Sequence, residues 1–199
     1  MLDIDLLLKY GAVIKKYPKG AILFSQDEEA KYYFQVVSGE VRMNNYNNEG
    51  KEFIQGIFKE GKSFGEPPLF IDRVYPANAE VTLPSEILLL EKSRFLALMG
   101  GDGPGLQMMR AMARRLYFKA TVAAELSYGS PEHRILTILN YFKKFSTDQE
   151  TKTLFKVDFT RKEIANLTGL RVETVIRAIK SLEQKGQLKI IDGKVWMPF

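Results

Sequence analysis

Thr160-Arg161-Lys162-Glu163-Ile164-Ala165-Asn166-Leu167-Thr168-Gly169-Leu170-Arg171-Val172-Glu173-Thr174-Val175-Ile176-Arg177 is the stretch on which the fold turns. Threonine followed three residues later by glutamate is a capping-box pattern, in which each side chain satisfies the other's backbone N–H at a helix start. It predicts a short helix over Lys162–Leu167 with Ile164, Ala165 and Leu167 apolar. Thr168-Gly169-Leu170 then reads as a tight turn, and Val172 to Lys185 as a second helix with Val175, Ile176, Ile179 and Leu182 inward. After Gly186, Gln187–Ile191 and Lys194–Met197 flank Asp192-Gly193, the pair expected in a two-residue hairpin turn. Helix, short glycine-containing turn, helix and hairpin together describe a winged helix-turn-helix.

Working toward the N-terminus, Phe155–Phe159 reads as a short alternating strand. Ser130-Pro131-Glu132 opens a helix that carries Ile135, Leu136, Ile138, Leu139 and Phe142. Residues 129–199 therefore form one module. Its charge sets it apart: residues 128–199 hold 13 Lys+Arg against 8 Asp+Glu, while residues 1–127 hold 16 of each. The whole net charge of +5 lies in the last third, as expected of a module facing a polyanion.

A break at Gly100-Gly101-Asp102-Gly103-Pro104-Gly105 precedes a run without further Gly or Pro until Gly129. In it Leu106, Met109, Ala113, Leu116, Ala120 and Ala123 recur at alternating spacings of three and four, a heptad seam. Arg110, Arg114, Arg115 and Lys119 occupy other faces. So narrow a stripe, with its alanines, suits close packing of one helix on a second copy of itself. Residues 101–128 are accordingly expected to form a dimerisation helix.

Residues 1–100 have a different rhythm. An apolar lead-in (Leu2, Ile4, Leu6, Leu7, Leu8) is followed by short runs: Ala21–Phe24, Tyr32–Val37, Val41–Met43, Phe53–Phe58, Glu80–Thr82 and Ile87–Leu90. Glycine and asparagine punctuate them, which predicts strands of four to six residues in an antiparallel β-roll or jelly roll. The expected class is α+β: a sensory β-roll over 1–100, the helix over 101–128 and the winged helix-turn-helix over 129–199.

Composition narrows the chemistry. The 199 residues are 45% hydrophobic and 27% charged, as in ordinary globular proteins, and include no cysteine and one histidine. Disulfides, thiolate nucleophiles, iron–sulfur clusters and zinc knuckles are excluded. His133, in the first turn of a helix, cannot build a multi-histidine metal site, and no catalytic carboxylate pair stands out. No catalytic or metal site is expected. No apolar run approaches the ~18 residues of a membrane helix, and the acidic Leu-Asp-Ile-Asp after Met1 is unlike an export signal. The expectation is a cytoplasmic protein with no membrane partner.

These motifs, in this order, resemble the catabolite-activator/fumarate–nitrate regulator (Crp/Fnr) family of transcription regulators over nearly the whole chain. Val36-Val37-Ser38-Gly39-Glu40-Val41 is similar to the family's β-roll glycine turn, and Gly61-Lys62-Ser63-Phe64-Gly65-Glu66 with Leu69-Phe70 resembles its phosphate-binding cassette. Met112-Ala113-Arg114-Arg115-Leu116 is similar to its dimerisation helix, and Phe159–Ala165, Gly169-Leu170 and Glu173–Arg177 to its helix-turn-helix. The resemblance implies a homodimer on double-stranded DNA, with RNA polymerase as a further partner. It places Glu173 and Arg177 at base-reading positions, and Thr160, Arg161, Arg171, Thr174 and Lys180 near the backbone or in secondary contacts. Chemistry agrees: arginine donates two bonds to guanine N7 and O6, and glutamate accepts from cytosine N4.

The effector is where the pattern fails. Cyclic-AMP binders of the family hold the phosphate with an Arg-Ser pair about ten residues after the cassette glutamate. This chain has Val74-Tyr75-Pro76-Ala77-Asn78-Ala79 there, and Lys119 and Ala120 where the family holds the base with hydroxyls. An anion buried without a cation is strongly unfavourable. Gly65, Glu66, Arg73 and Lys119 remain as effector-pocket residues, for an effector that is unknown and not cyclic AMP. A cyclic-nucleotide-responsive regulator is the first alternative. A cupin-like enzyme, of another class, would need clustered histidines that the chain does not have.

Overall fold

The computed structural model describes residues 2–101, 103–144 and 154–198. The chain forms two compact units, one up to Arg115 and one from Leu116 onward.

The first unit is built on an antiparallel sheet. Its elements are α1 (Ile4–Lys9), β1 (Val13–Tyr17), β2 (Ile22–Phe24), β3 (Tyr32–Tyr46), β4 (Glu52–Lys59), β5 (Ser63–Phe64), α2 (Pro67–Phe70), β6 (Asn78–Glu91), α3 (Lys92–Met99) and the first half of α4 (Pro104–Tyr128). The strand order is β1-β6-β3-β4, with β2 also paired to β6 and β5 to β3. Tyr33, Phe34, Val36, Val41, Val81, Ile87, Leu88 and Leu90 are buried in its core. Phe95 of α3 and Met108 of α4 are buried in the same core.

Two strands are much longer than expected. The runs Tyr32–Val37 and Val41–Met43 are one 15-residue strand, and Glu80–Thr82 and Ile87–Leu90 belong to one of 14 residues. Gly39, which reads as a break, lies opposite Pro84-Ser85 in bulges where the β3–β6 register shifts. Gly39 has φ +91°, and a Cβ there would overlap Ser85 Oγ and lie 2.6 Å from the Pro84 carbonyl oxygen. The close approach is closed by hydrogen bonds: Glu40 N–H donates to Ser85 Oγ at 3.0 Å, and Ser85 Oγ donates to the Leu83 carbonyl at 2.6 Å. The sequence pattern also did not indicate α3, an eight-residue helix with Phe95 and Leu98 buried.

The second unit holds the rest of α4, then α5 (Pro131–Lys144), β7 (Leu154–Val157), α6 (Arg161–Thr168), α7 (Val172–Gln184), β8 (Lys189–Ile191) and β9 (Lys194–Pro198). Ile135 and Leu139 of α5, Val157 of β7, Ile164 of α6, Val175, Ile179 and Leu182 of α7 and Val195 of β9 form its core. Phe118 of α4 stacks on Tyr141, and Phe142 meets Phe159 edge-on at 4.6 Å. The three strands pair in the order β7-β9-β8, so the hairpin is anchored to the strand that precedes α6. Ile191 pairs with Lys194 across Asp192-Gly193, whose φ values of +49° and +72° are those a two-residue turn requires.

One residue expected in this core is not there. Ile176 is 40% exposed, and Ala178 is buried instead. The buried stripe of α7 runs through Val175, Ala178, Ile179 and Leu182, and Ile176 falls outside it.

Candidate nucleic-acid interface and effector site

The capping box that opens α6 is formed: Glu163 N–H donates to Thr160 Oγ1 at 3.1 Å, and Thr160 N–H to Glu163 Oε2 at 2.7 Å. α6 ends at Gly169 in the left-handed conformation, φ +69°, which a glycine adopts without steric cost. Leu170 N–H then bonds the Ala165 carbonyl at 3.1 Å, and the extended Arg171 leads directly into α7. The buried stripe of α7 fixes its rotation, so Glu173, Ile176, Arg177 and Lys180 form the opposite, exposed stripe at i, i+3, i+4 and i+7.

Glu173 and Arg177 are both exposed, and among the described residues no ion pair joins them. Arg171 is exposed at the start of the helix, Lys180 is exposed two turns on, and Thr174 is half-buried on the flank. Thr160 is exposed, its hydroxyl engaged in the capping box. Arg161 is half-buried and donates from Nη2 to the Gly193 carbonyl at 3.5 Å, which ties the start of α6 to the hairpin turn. His133 is exposed in the first turn of α5, its N–H donating to Ser130 Oγ at 3.3 Å.

In the first unit Gly65 and Glu66 lie between β5 and α2. Phe24, Phe34 and Tyr75 stand at contact distance from where a Gly65 Cβ would be, and the Phe24 and Tyr75 rings stack at 3.7 Å. Glu66 has a fully buried side chain and is paired bidentately with Arg115: Nη2 lies 3.1 Å from Oε1, and Nη1 donates to Oε2 at 3.1 Å. The same Nη1 donates to the Ser63 carbonyl at 3.1 Å. Beside them, burial and the Glu66 charge raise the Tyr33 pKa well above the ordinary phenol value, against a hydrogen bond with Ser63 and the Arg115 charge. The hydroxyl therefore stays protonated and donates to Gln35 Oε1 at 2.6 Å.

The cation beside Glu66 is thus Arg115. Of the two cations suggested for the pocket, Arg73 is exposed beyond α2, and Lys119 is exposed on the part of α4 in the second unit. Arg115 was legible in one respect: it follows the buried Met108 and the core-packed Met112 at i, i+4 and i+7. In the stretch Val74–Ala79, expected to offer a phosphate no cation, Tyr75 and Ala77 are buried. Asn78 there donates from Nδ2 to the Asn44 carbonyl at 3.2 Å and accepts from Gln26 N–H at 2.9 Å.

Residues 14–102 match the cyclic nucleotide-binding domain family, and residues 133–197 match the Crp-like helix-turn-helix domain family. The transcriptional activator protein FnrA of Stutzerimonas stutzeri is 31% identical over 98% of this chain and 80% of its own length. The chain belongs to the Crp/Fnr family of DNA-binding transcription regulators. The cAMP-activated global transcriptional regulator CRP of Escherichia coli O157:H7 is 29% identical, over 86% of this chain and 83% of its own. The structure of FixK2 from Bradyrhizobium japonicum superposes with a TM-score of 0.79 at 23% identity, covering 94% of this chain and 92% of that one, and shares the fold. In this regulator α7 is the second helix of the helix-turn-helix.

The Glu66–Arg115 pair yields a direct test. Removing the cation leaves a buried carboxylate without a partner, and Arg115 is itself 29% exposed, so solvent screens part of the loss. Arg115→Met is expected to lower the free energy of urea unfolding by about 2–4 kcal/mol. The double variant Glu66→Leu/Arg115→Met, with no charge left to strand, is expected to lose less than the single one.

Proposed function

We propose that this regulator acts as a homodimer through α4 and places its two α7 helices on an inverted-repeat operator. The observation that carries the proposal is the exposed apolar stripe of α4. Leu106, Met109 and Leu116 are 53%, 66% and 71% exposed, Tyr117 beside them is 78% exposed, and Ala113, Ala120 and Ala123 are exposed as well. Large apolar side chains this open on one helix are what a second copy would cover, and the alanines would let the two helices approach closely. A twofold axis through such a contact relates two recognition helices, which calls for half-sites about one helical turn, ~34 Å, apart.

On each half-site Glu173 and Arg177 would read base edges, and Arg171, Thr174 and Lys180 would support them at the backbone. Thr160 and Arg161, held by the capping box and the hairpin turn, lie at the start of α6, where a helix-turn-helix crosses the phosphates. The relative FnrA is a transcriptional activator, which makes RNA polymerase the proposed protein partner. No described helix is long and apolar enough to cross a membrane, and the cytoplasm is the proposed compartment.

Cyclic AMP is proposed not to be the effector. Two features support this: Glu66 already has a cation of its own, and Val74–Ala79 offers none for a phosphate. The competing cyclic-nucleotide-responsive reading draws on the domain match over residues 14–102.

Leu116→Glu/Ala120→Glu is expected to give monomers by light scattering; an unchanged mass would refute the seam. Against an operator selected from random DNA, Arg177→Ala is expected to cost about 1–3 kcal/mol and much less against random DNA. Lys180→Ala is expected to weaken both alike and to flatten the salt dependence. Millimolar cyclic AMP is expected to leave the unfolding temperature unchanged, since a ligand at a hundredfold excess over Kd adds about 2.7 kcal/mol and would be seen.

A further inference from the structure

The second half of α4 has two faces. Leu116, Ala120 and Ala123 are exposed along the proposed seam. Phe118 stands two positions from Leu116 and two from Ala120, so at 3.6 residues per turn it lies on the opposite side of the helix. There it is half-buried, as is Val122 one turn on. Its ring stacks on that of Tyr141 of α5, with 17° between the planes. Tyr141 meets its neighbour Phe142 edge-on at 5.4 Å, and Phe142 meets Phe159 at 4.6 Å. Phe159 is buried and immediately precedes Thr160, the cap of α6. Successive ring contacts thus run from the back of α4 to the residue before the helix-turn-helix. All four rings belong to the second unit, as do α7 and the part of the seam from Leu116 to Ala123.

We infer that the Phe118–Tyr141 stack is a positioning contact that sets the distance and rotation between the two α7 helices of the dimer, and so selects the spacing of the operator's half-sites. The inference rests on the reading of the protein as a dimer through α4 on an inverted repeat. In such a dimer the partner lies against one side of α4 and the protein's own helix-turn-helix against the other. Whatever holds α4 on α5 therefore holds each α7 relative to the twofold axis. Stacked and edge-on rings favour a definite distance and tilt, where aliphatic groups slide over one another. Phe142 and Phe159 carry the constraint on to the start of α6, and the turn at Gly169 carries it to α7. None of these rings needs to touch DNA. They discriminate between operators by where the half-sites lie, independently of which bases Glu173 and Arg177 address.

The experiment uses the full-length protein and an operator selected in vitro from random DNA. The spacer between its half-sites is lengthened and shortened by one base pair, and a duplex with a single half-site serves as the control. Each added base pair moves the half-sites about 3.4 Å apart and rotates them by about 35°. The wild-type protein is expected to lose about tenfold in affinity at either altered spacer, the size of one mismatched base pair. Phe118→Leu and Tyr141→Leu each take one ring from the stack and keep an apolar side chain. In both, the penalty is expected to shrink to about threefold or less, with the single half-site bound as by the wild type. Tyr141→Phe, which keeps the ring, is expected to retain the wild-type preference. Light scattering is expected to give an unchanged dimer mass for all three, since the seam lies on the other side of α4.

If the wild-type dimer tolerates the altered spacers, if either leucine variant keeps the full penalty, or if Tyr141→Phe loses it, the assignment of the stack is overturned. It is overturned too if a leucine variant weakens on the single half-site or comes apart into monomers, for then the rings only support the fold of the module. A failure of the reading beneath it shows separately: the wild-type protein itself would run as a monomer, or would select a site without an inverted repeat.

Discussion

Every other strand of the first unit hydrogen-bonds to β3 or to β6, so the pairing of those two long strands determines where everything else in the β-roll can be. The pair could not run straight for so many residues and still curl around a core. Its register therefore shifts where Gly39 meets Leu83-Pro84-Ser85, and a serine hydroxyl closes the gap by accepting from one strand and donating to its own. Before the bulge, β3 pairs with β5 as well as β6; after it, β3 pairs with β4. The bulge thus separates the segment that carries the short strand leading to Gly65 and Glu66 from the hairpin at the other end.

The same geometry determines what Glu66 can do. It follows immediately on the β5 segment and is shut away from solvent, so its charge has to be met by a residue delivered from elsewhere in the chain. α4 delivers it. One face of that helix carries Met108, Met112 and Arg115 toward the core, while Leu106, Met109 and Ala113 point away. Two distinct faces are therefore placed on one helix by periodicity alone, and a shift of one position would carry Arg115 off the core-facing stripe and away from Glu66.

How far the sequence could be read follows from the range of the interactions involved. The helix-turn-helix was legible because its determinants are local: Thr160 and Glu163 bond each other, Gly169 ends α6, and Asp192-Gly193 turns the hairpin, all within a few residues. The strands were legible as strands but not in their length, because whether Gly39 is a turn or a bulge depends on Ser85, 46 positions away. Arg115 could be placed on a helix face but not opposite Glu66, for the same reason. Ile176 misled because apolar character predicts burial, and only the rotation of α7 against its neighbours shows that the core is complete without it.

The contact from Arg161 to the Gly193 carbonyl has a thermodynamic meaning. Together with the burial of Leu188, Val195 and Met197 it ties the hairpin to the helix pair. Ordering that hairpin is a cost met once, during folding, and is not charged again each time the protein docks. A module preorganised in this way loses little conformational entropy on association. Its discrimination between sites then rests on the fit of the few side chains that face outward.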